Sequence, residues 1–143
     1  MKRAAKRILE VLTTDGCQPV ELGADEVQSW LQRWRSVFAR QLHAKTKLWV
    51  QGNLDWHVFS LGYHASLTAD AARNAYRAVE SSAFVVLGAD VQKPFGFLCQ
   101  GKPPERLKAG FDVLVAPTSL AWTMAFTHEE PVAGPYFANR DAS

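Results

Sequence analysis

The chain is short of cysteine, of long apolar runs and of an excess of charge of either sign. Its 143 residues include only two cysteines, Cys17 and Cys99, which form no CxxC or other metal-binding spacing. We interpret them as free thiols of a reducing compartment, with a bridge between them as the alternative. No segment approaches the ~20 consecutive apolar residues that a membrane helix needs, so we expect a soluble cytoplasmic protein without a membrane partner.

Charge is nearly balanced, with 16 Lys and Arg against 14 Asp and Glu. The net charge of +2 does not by itself indicate a nucleic-acid or membrane partner. The basic residues are unevenly spread, however, because residues 1–51 hold nine of them against five acidic residues. Nucleic-acid binding through the basic N-terminal segment, with Arg33, Arg35 and Arg40, is therefore a third hypothesis, behind a protein partner.

Motifs of common enzyme classes are also absent. The chain contains no phosphate-binding GxxxxGK[ST], no GxGxxG, no GxSxG and no EF-hand loop. His128-Glu129-Glu130-Pro131 begins like the zinc motif HExxH, but it lacks the second histidine and has proline where a helix is required. The sequence accordingly predicts no metal site and no cofactor.

What the chain does contain is regular apolar patterning. Helices are predicted at residues 3–12, from Asp25 through a broad face that includes Trp34, and from Thr68 to about Glu80. Strands are predicted at 55–61, 83–87, 95–100, 112–116 and 122–127. The last two strands are separated by only a few residues, which is typical of an antiparallel hairpin.

These elements predict a single α+β domain over residues 1–143. We expect a mostly antiparallel sheet of about five strands, helices packed on one face and a C-terminal β-hairpin. Residues 1–13 are expected to form a loosely docked helix, because cations crowd its N-terminal end, where the helix dipole disfavours them. Residues 138–143 are expected to form a loose polar tail.

The candidate site consists of titratable groups near two predicted strands. His57 lies within the strand at 55–61, and His128 and Glu129 directly follow the last strand. If these strands are neighbours, the two imidazoles approach each other, with Asp55 and Glu129 nearby. A histidine–carboxylate pair suits general-base catalysis, and two histidines with a carboxylate suit a divalent metal. A hydrogen-bonded core histidine and a solvated turn explain the same residues without any activity.

Two stretches carry a family resemblance. They are Trp56-His57-Val58-Phe59-Ser60 and the pattern W-T-x-x-x-T-H-E-x-x-x-x-G-P-Y-F from Trp122 to Phe137. On these pieces and Trp34 the chain resembles a family of small bacterial proteins catalogued as domain of unknown function 4275. The resemblance covers roughly residues 30–137. It implies a one-domain architecture and a bacterial origin, and it carries no activity, cofactor or catalytic residue.

The surplus of large aromatic residues, five Trp and eight Phe, suits a protein interface. Our first hypothesis is a non-catalytic intracellular protein that binds another macromolecule, of the accessory or immunity type, with Trp56, Trp122 and Tyr136 as candidate binding residues. The alternative is a small hydrolase or metal-dependent enzyme that uses His57, His128 and Glu129. This alternative requires the three side chains to converge in a concave site.

Overall fold

The computed structural model describes residues 3–40, 55–88, 93–107, 112–128 and 134–141. Within these ranges, the helices are α1 (Arg3–Thr14), α2 (Ala24–Phe38), α3 (His57–Ser60) and α4 (Ala69–Arg77). The strands are β1 (Val20–Glu21), β2 (Leu67–Thr68), β3 (Ala83–Gly88), β4 (Phe95–Gln100), β5 (Val113–Pro117), β6 (Trp122–Phe126) and β7 (Tyr136–Asn139). A short 3-10 turn at Glu105–Leu107 follows two prolines, which are tolerated at a helix start.

The described strands form one antiparallel sheet in the order β1-β4-β3-β5-β6-β7-β2. The predicted α+β class and the hairpin of β5 with β6 are confirmed, and Val113 pairs with Phe126 in that hairpin. Within the described residues the sheet has seven strands, whereas about five were predicted. The missed strands β1, β2 and β7 are only two to four residues long, so they carry too little alternation to be seen in the sequence.

Helices cover both faces of the sheet, so the prediction of helices on one face was wrong. Val85 and Leu87 of β3 face the cluster that holds α2 and α3, whereas Phe84 and Val86 face the cluster that holds α1 and α4. The physical reason is that β3 and β5 are apolar on both sides. Strands of this kind need a second layer on each face to remove their side chains from water.

Helix α1 and residues 138–139 have defined contacts with the sheet. Ala5, Ile8 and Leu12 of α1 are buried, and α1 contacts β4 and the 3-10 turn. The apolar face of α1 therefore anchors it although lysine and arginine lie near its start. Ala138 and Asn139 were expected in a loose tail, but they belong to β7 and pair with Thr123 and Trp122 of β6.

A buried polar contact fixes α2 on the sheet. The Trp34 indole Nε1–H donates to Thr123 Oγ1 at 2.9 Å, and the Thr123 hydroxyl donates to the carbonyl of Val115 at 2.9 Å. The start of the helix is also defined by a side chain, because Glu26 Oε1 accepts the Gly23 N–H at 3.1 Å. This contact caps α2, which begins at Ala24, one residue before the predicted start at Asp25.

Both cysteines are buried free thiols in the cluster beneath α1. Burial raises the pKa of Cys99 to about 12, and burial raises the pKa of Cys17 as well, with Asp15 adding to the shift. A rise from 9.0 to about 12 lowers the thiolate fraction of Cys99 at pH 8 by roughly 1000-fold. We expect neither thiol to react with Ellman's reagent in the folded protein and both to react in guanidinium chloride. Rapid reaction of the native protein would contradict this.

Candidate functional site

An ion pair positions the start of α3 against α2. Arg35 Nε donates to Asp55 Oδ1 at 2.8 Å, and Arg35 Nη2 donates to Asp55 Oδ2 at 3.0 Å. The Asp55 side chain is 1% exposed and that of Arg35 is 14% exposed, so the pair is largely removed from water. Burial raises the pKa of Asp55, although the hydrogen bonds and the charge of Arg35 act to lower it.

Residues 55–61 do not form the predicted strand, because Asp55 and Trp56 form a turn and α3 follows directly. The β-branched and aromatic composition favoured a strand, but tertiary packing overrides that preference. Val58 and Phe59 are consecutive residues of this single helical turn, and both are buried. In a strand with only one buried face, consecutive side chains point to opposite faces, so one of the two would be exposed. His57 therefore lies on a helix that covers the sheet, and no strand carries it next to β6.

The Trp56 indole, which is 3% exposed, is the centre of an aromatic cluster. The His57 ring stacks on it with centroids 3.8 Å apart, and the Tyr136 ring lies nearly parallel to it at 6.1 Å. The His128 ring meets the same indole at 6.3 Å in an edge-on arrangement. Both imidazoles thus lie against one indole. Within the described residues, Trp56 Nε1 is a buried donor without a hydrogen-bond partner.

An aspartate that the sequence did not single out orients His128. Asp112 Oδ1 lies 2.8 Å from His128 Nδ1 and accepts the His128 backbone N–H at 3.0 Å. The two residues meet because Val113 pairs with Phe126, which brings the residue before β5 beside the end of β6. A carboxylate can only accept, so it holds the proton of a neutral His128 on Nδ1. The predicted hairpin contained this information, since its register places residue 112 opposite residue 127.

The structure brings together four of the predicted site residues, namely Trp56, His57, His128 and Tyr136. It does not bring Trp122 to them. Trp122 lies on the other face of the sheet, where its ring stacks on Phe137 at 5.6 Å. Glu129 lies outside the described residues. The part of the chain that the structure describes contains no group of three or more His, Cys, Asp or Glu that could hold a metal ion.

Two exposed apolar side chains lie close to α3 in the sequence. Leu61, which directly follows α3, is 66% exposed, and Leu67 of β2 is 47% exposed. Together with the half-buried His57 they lie within residues 57–67, and we call these three residues the α3 edge. Among the described residues, Val20 is the one further large apolar side chain with comparable exposure, and it lies in β1 at the opposite edge of the sheet.

The basic residues of the N-terminal third do not form one surface. Helix α1 packs on one face of the sheet and α2 on the other, so Lys6 and Arg7 are separated from Arg33 by the sheet itself. Arg35 is held in its ion pair with Asp55, and the Arg33 guanidinium stacks over Trp30 at 3.7 Å. This arrangement disfavours a continuous phosphate-binding surface built from both helices.

Comparison with known proteins identifies one family. The model of a domain of unknown function, DUF4275, matches residues 22–137, which include all of the aromatic cluster. No curated protein matches the chain, and no solved structure matches it. A search of the described residues finds no helix that is long and apolar enough to span a membrane.

Proposed function

The chain belongs to the DUF4275 family, and from that premise we propose that it is a non-catalytic protein that binds another macromolecule, of the accessory or immunity type. The observation that carries the proposal is the α3 edge. Leu61 and Leu67, which are six positions apart, leave two large apolar side chains in water, and the half-buried His57 lies four residues before Leu61. Apolar side chains grouped at a surface are typical of a contact site for another protein.

The contacts that hold α3 and the residues after it in place also suit a binding surface. The ion pair of Arg35 with Asp55 holds the start of α3, and Phe59 packs beneath it against Trp34 and Tyr136. His64, three residues after Leu61, lies 2.8 Å from the carbonyl of Asn139 through its Nε2. A rigidly supported surface loses little conformational entropy on binding. The residues that contribute most of the binding free energy at an interface are commonly well packed in this way.

The proposal predicts that charge at the α3 edge strongly weakens partner binding. We would immobilise the wild-type protein and the double variant Leu61→Glu with Leu67→Glu, and identify the proteins retained from a lysate of the source organism by mass spectrometry. The retained partner would then be purified and its dissociation constant measured. We expect the double variant to bind at least about 100-fold more weakly, because two buried apolar contacts are replaced by desolvated charges.

The matched control is Val20→Glu, which places the same charge on a similarly exposed apolar position at the far edge of the sheet. This variant should bind as the wild type does. Equal affinity of the wild type and the α3-edge variant for the purified partner would refute the proposal. Circular dichroism and thermal unfolding of each variant exclude loss of folding as the cause.

We also propose that the protein is located in the cytoplasm of a bacterium. Two buried, unpaired thiols suit a reducing compartment. Fluorescence of a tagged copy in the source cells, compared with cell fractionation, tests the location.

A second candidate function is a small hydrolase, and the 2.8 Å contact of Asp112 with His128 favours it. The exposed imidazole with a fixed tautomer is the arrangement of a general base. This function predicts turnover of activated esters or phosphodiesters, with or without added Zn²⁺, that is lost in His128→Ala and reduced in Asp112→Asn. Rates equal to those of the uncatalysed reaction would remove this candidate and leave the binding proposal unaffected.

A further inference from the structure

A cavity of about 260 Å³ lies at the end of the β5–β6 hairpin that is remote from His128. One wall is the segment between α4 and β3, which includes Glu80 and Ser82. The other wall is the hairpin loop with Thr118, and Trp122 lines the cavity between them. None of these residues belongs to the aromatic cluster around Trp56, so this is a separate place in the fold.

The walls of the cavity are held by their own hydrogen bonds. The Ala83 carbonyl accepts both the Ser81 hydroxyl at 3.0 Å and the Thr118 N–H at 3.2 Å, which ties the two walls together. Within the hairpin loop, Ser119 Oγ accepts the Ala121 N–H at 3.3 Å. The cavity is therefore largely preformed, as ligand sites commonly are.

Three polar groups remain after these bonds are assigned. In the part of the chain that the structure describes, the Glu80 carboxylate and the hydroxyls of Ser82 and Thr118 have no hydrogen-bond or ion-pair partner, and all three residues are exposed at the cavity. The carboxylate only accepts hydrogen bonds and carries a negative charge, the hydroxyl oxygens also accept, and an indole attracts cations. These groups together favour a ligand that is positively charged and carries several hydrogen-bond donors.

We propose that this cavity binds a primary ammonium group, carried either by a small free amine or by a lysine side chain. Its three N–H donors match the carboxylate of Glu80 and the hydroxyls of Ser82 and Thr118, beside the Trp122 indole. A neutral polyol would desolvate the carboxylate without balancing its charge, and an anion would be repelled by it. The Arg140 guanidinium donates to the Ser119 carbonyl at 3.3 Å, but Arg140 does not line the cavity, and Glu80 is the one charged residue among the described residues that do.

The test is a titration followed by amide and indole NMR signals at constant ionic strength. The probes are butylammonium chloride, lysine blocked as Nα-acetyl-lysine methylamide, and butan-1-ol as the neutral isostere. We expect butylammonium, the blocked lysine or both to shift the Ser82 and Thr118 amides and the Trp122 indole with a saturable curve, and butan-1-ol to leave them unchanged. Saturation by butylammonium alone identifies a free amine, and equal or tighter binding of the blocked lysine identifies a lysine side chain.

Glu80→Gln should weaken the binding by about tenfold, because it removes the one carboxylate among the described residues that line the cavity and keeps the shape. Glu21→Gln, which removes an exposed carboxylate from β1 at a distant edge of the sheet, should leave it unchanged. Equal shifts with butan-1-ol, unchanged affinity in Glu80→Gln, or no saturable shift with either ammonium probe would overturn the proposal. The variant with Leu61→Glu and Leu67→Glu should bind the ammonium probes with the affinity of the wild type. Failure of the ammonium site and failure of the proposed binding function are therefore distinguishable.

Discussion

Replacing Arg35 by Ala is expected to lower the free energy of unfolding by about 3–5 kcal/mol at pH 7. The Asp55 side chain is 1% exposed, and the two hydrogen bonds from Arg35 are its ion-pair contacts. Without Arg35 the carboxylate is left as a buried, uncompensated charge at the start of α3. Urea denaturation at pH 7 measures the loss.

The loss of unfolding free energy caused by Arg35→Ala, which we call its deficit, should depend on pH in a defined direction. Burial already raises the pKa of Asp55 above its ordinary value of 3.8, and Arg35 acts to lower it, so removing Arg35 raises it further. A carboxyl group whose pKa is higher in the folded state contributes stability below its unfolded pKa and loses that contribution as pH rises through the folded pKa. The deficit should therefore be small near pH 4 and should grow towards pH 7.

The matched control is Arg33→Ala on the same helix. It removes the stacking of a guanidinium on Trp30, for which we expect a loss of only about 0.5–1 kcal/mol without this pH dependence. A deficit of Arg35→Ala that is below 1 kcal/mol, or that shrinks as pH rises, would show that the ion pair does not anchor α3.

Replacing Trp56 by Ala should cost about 3–5 kcal/mol and should also dismantle the aromatic cluster. The indole is 3% exposed and contacts the rings of His57, Tyr136 and His128, so its removal leaves a cavity beneath both imidazoles. We expect the His57 ring protons to lose the upfield shift that a stacked indole imposes at 3.8 Å. Proton NMR and urea denaturation measure the two effects.

Trp56→Phe is the informative companion variant. It keeps an aromatic ring against His57 and deletes the buried Nε1 donor, which has no partner within the described residues. Deleting a buried donor without a partner recovers part of its desolvation cost, so this variant should lose less than half of what the Ala variant loses. Equal losses in the two variants would show that the indole N–H itself makes a stabilising contact.

The fold was predictable to the extent that its elements are long and regular. The apolar runs of β3 and β5, the alternating pattern of β6 and the broad apolar face of α2 identified these elements correctly. The same runs contained the information that both faces of the sheet are covered, because a strand such as Ala83–Gly88 has no polar side to present to water. Two-residue strands such as Val20–Glu21 are determined by pairing with a neighbour and not by local pattern.

The sequence by itself determined the α+β class, the hairpin that ends beside His128, and the residue types of the aromatic cluster. Only the tertiary structure decided that Trp56 and His57 start a helix, that both imidazoles lie against the Trp56 indole, and that Trp122 lies on the opposite face of the sheet. The reason is that these contacts join residues that are distant in the chain. Local propensity cannot encode the ion pair with Arg35 and the ring packing that override the strand preference of residues 55–61.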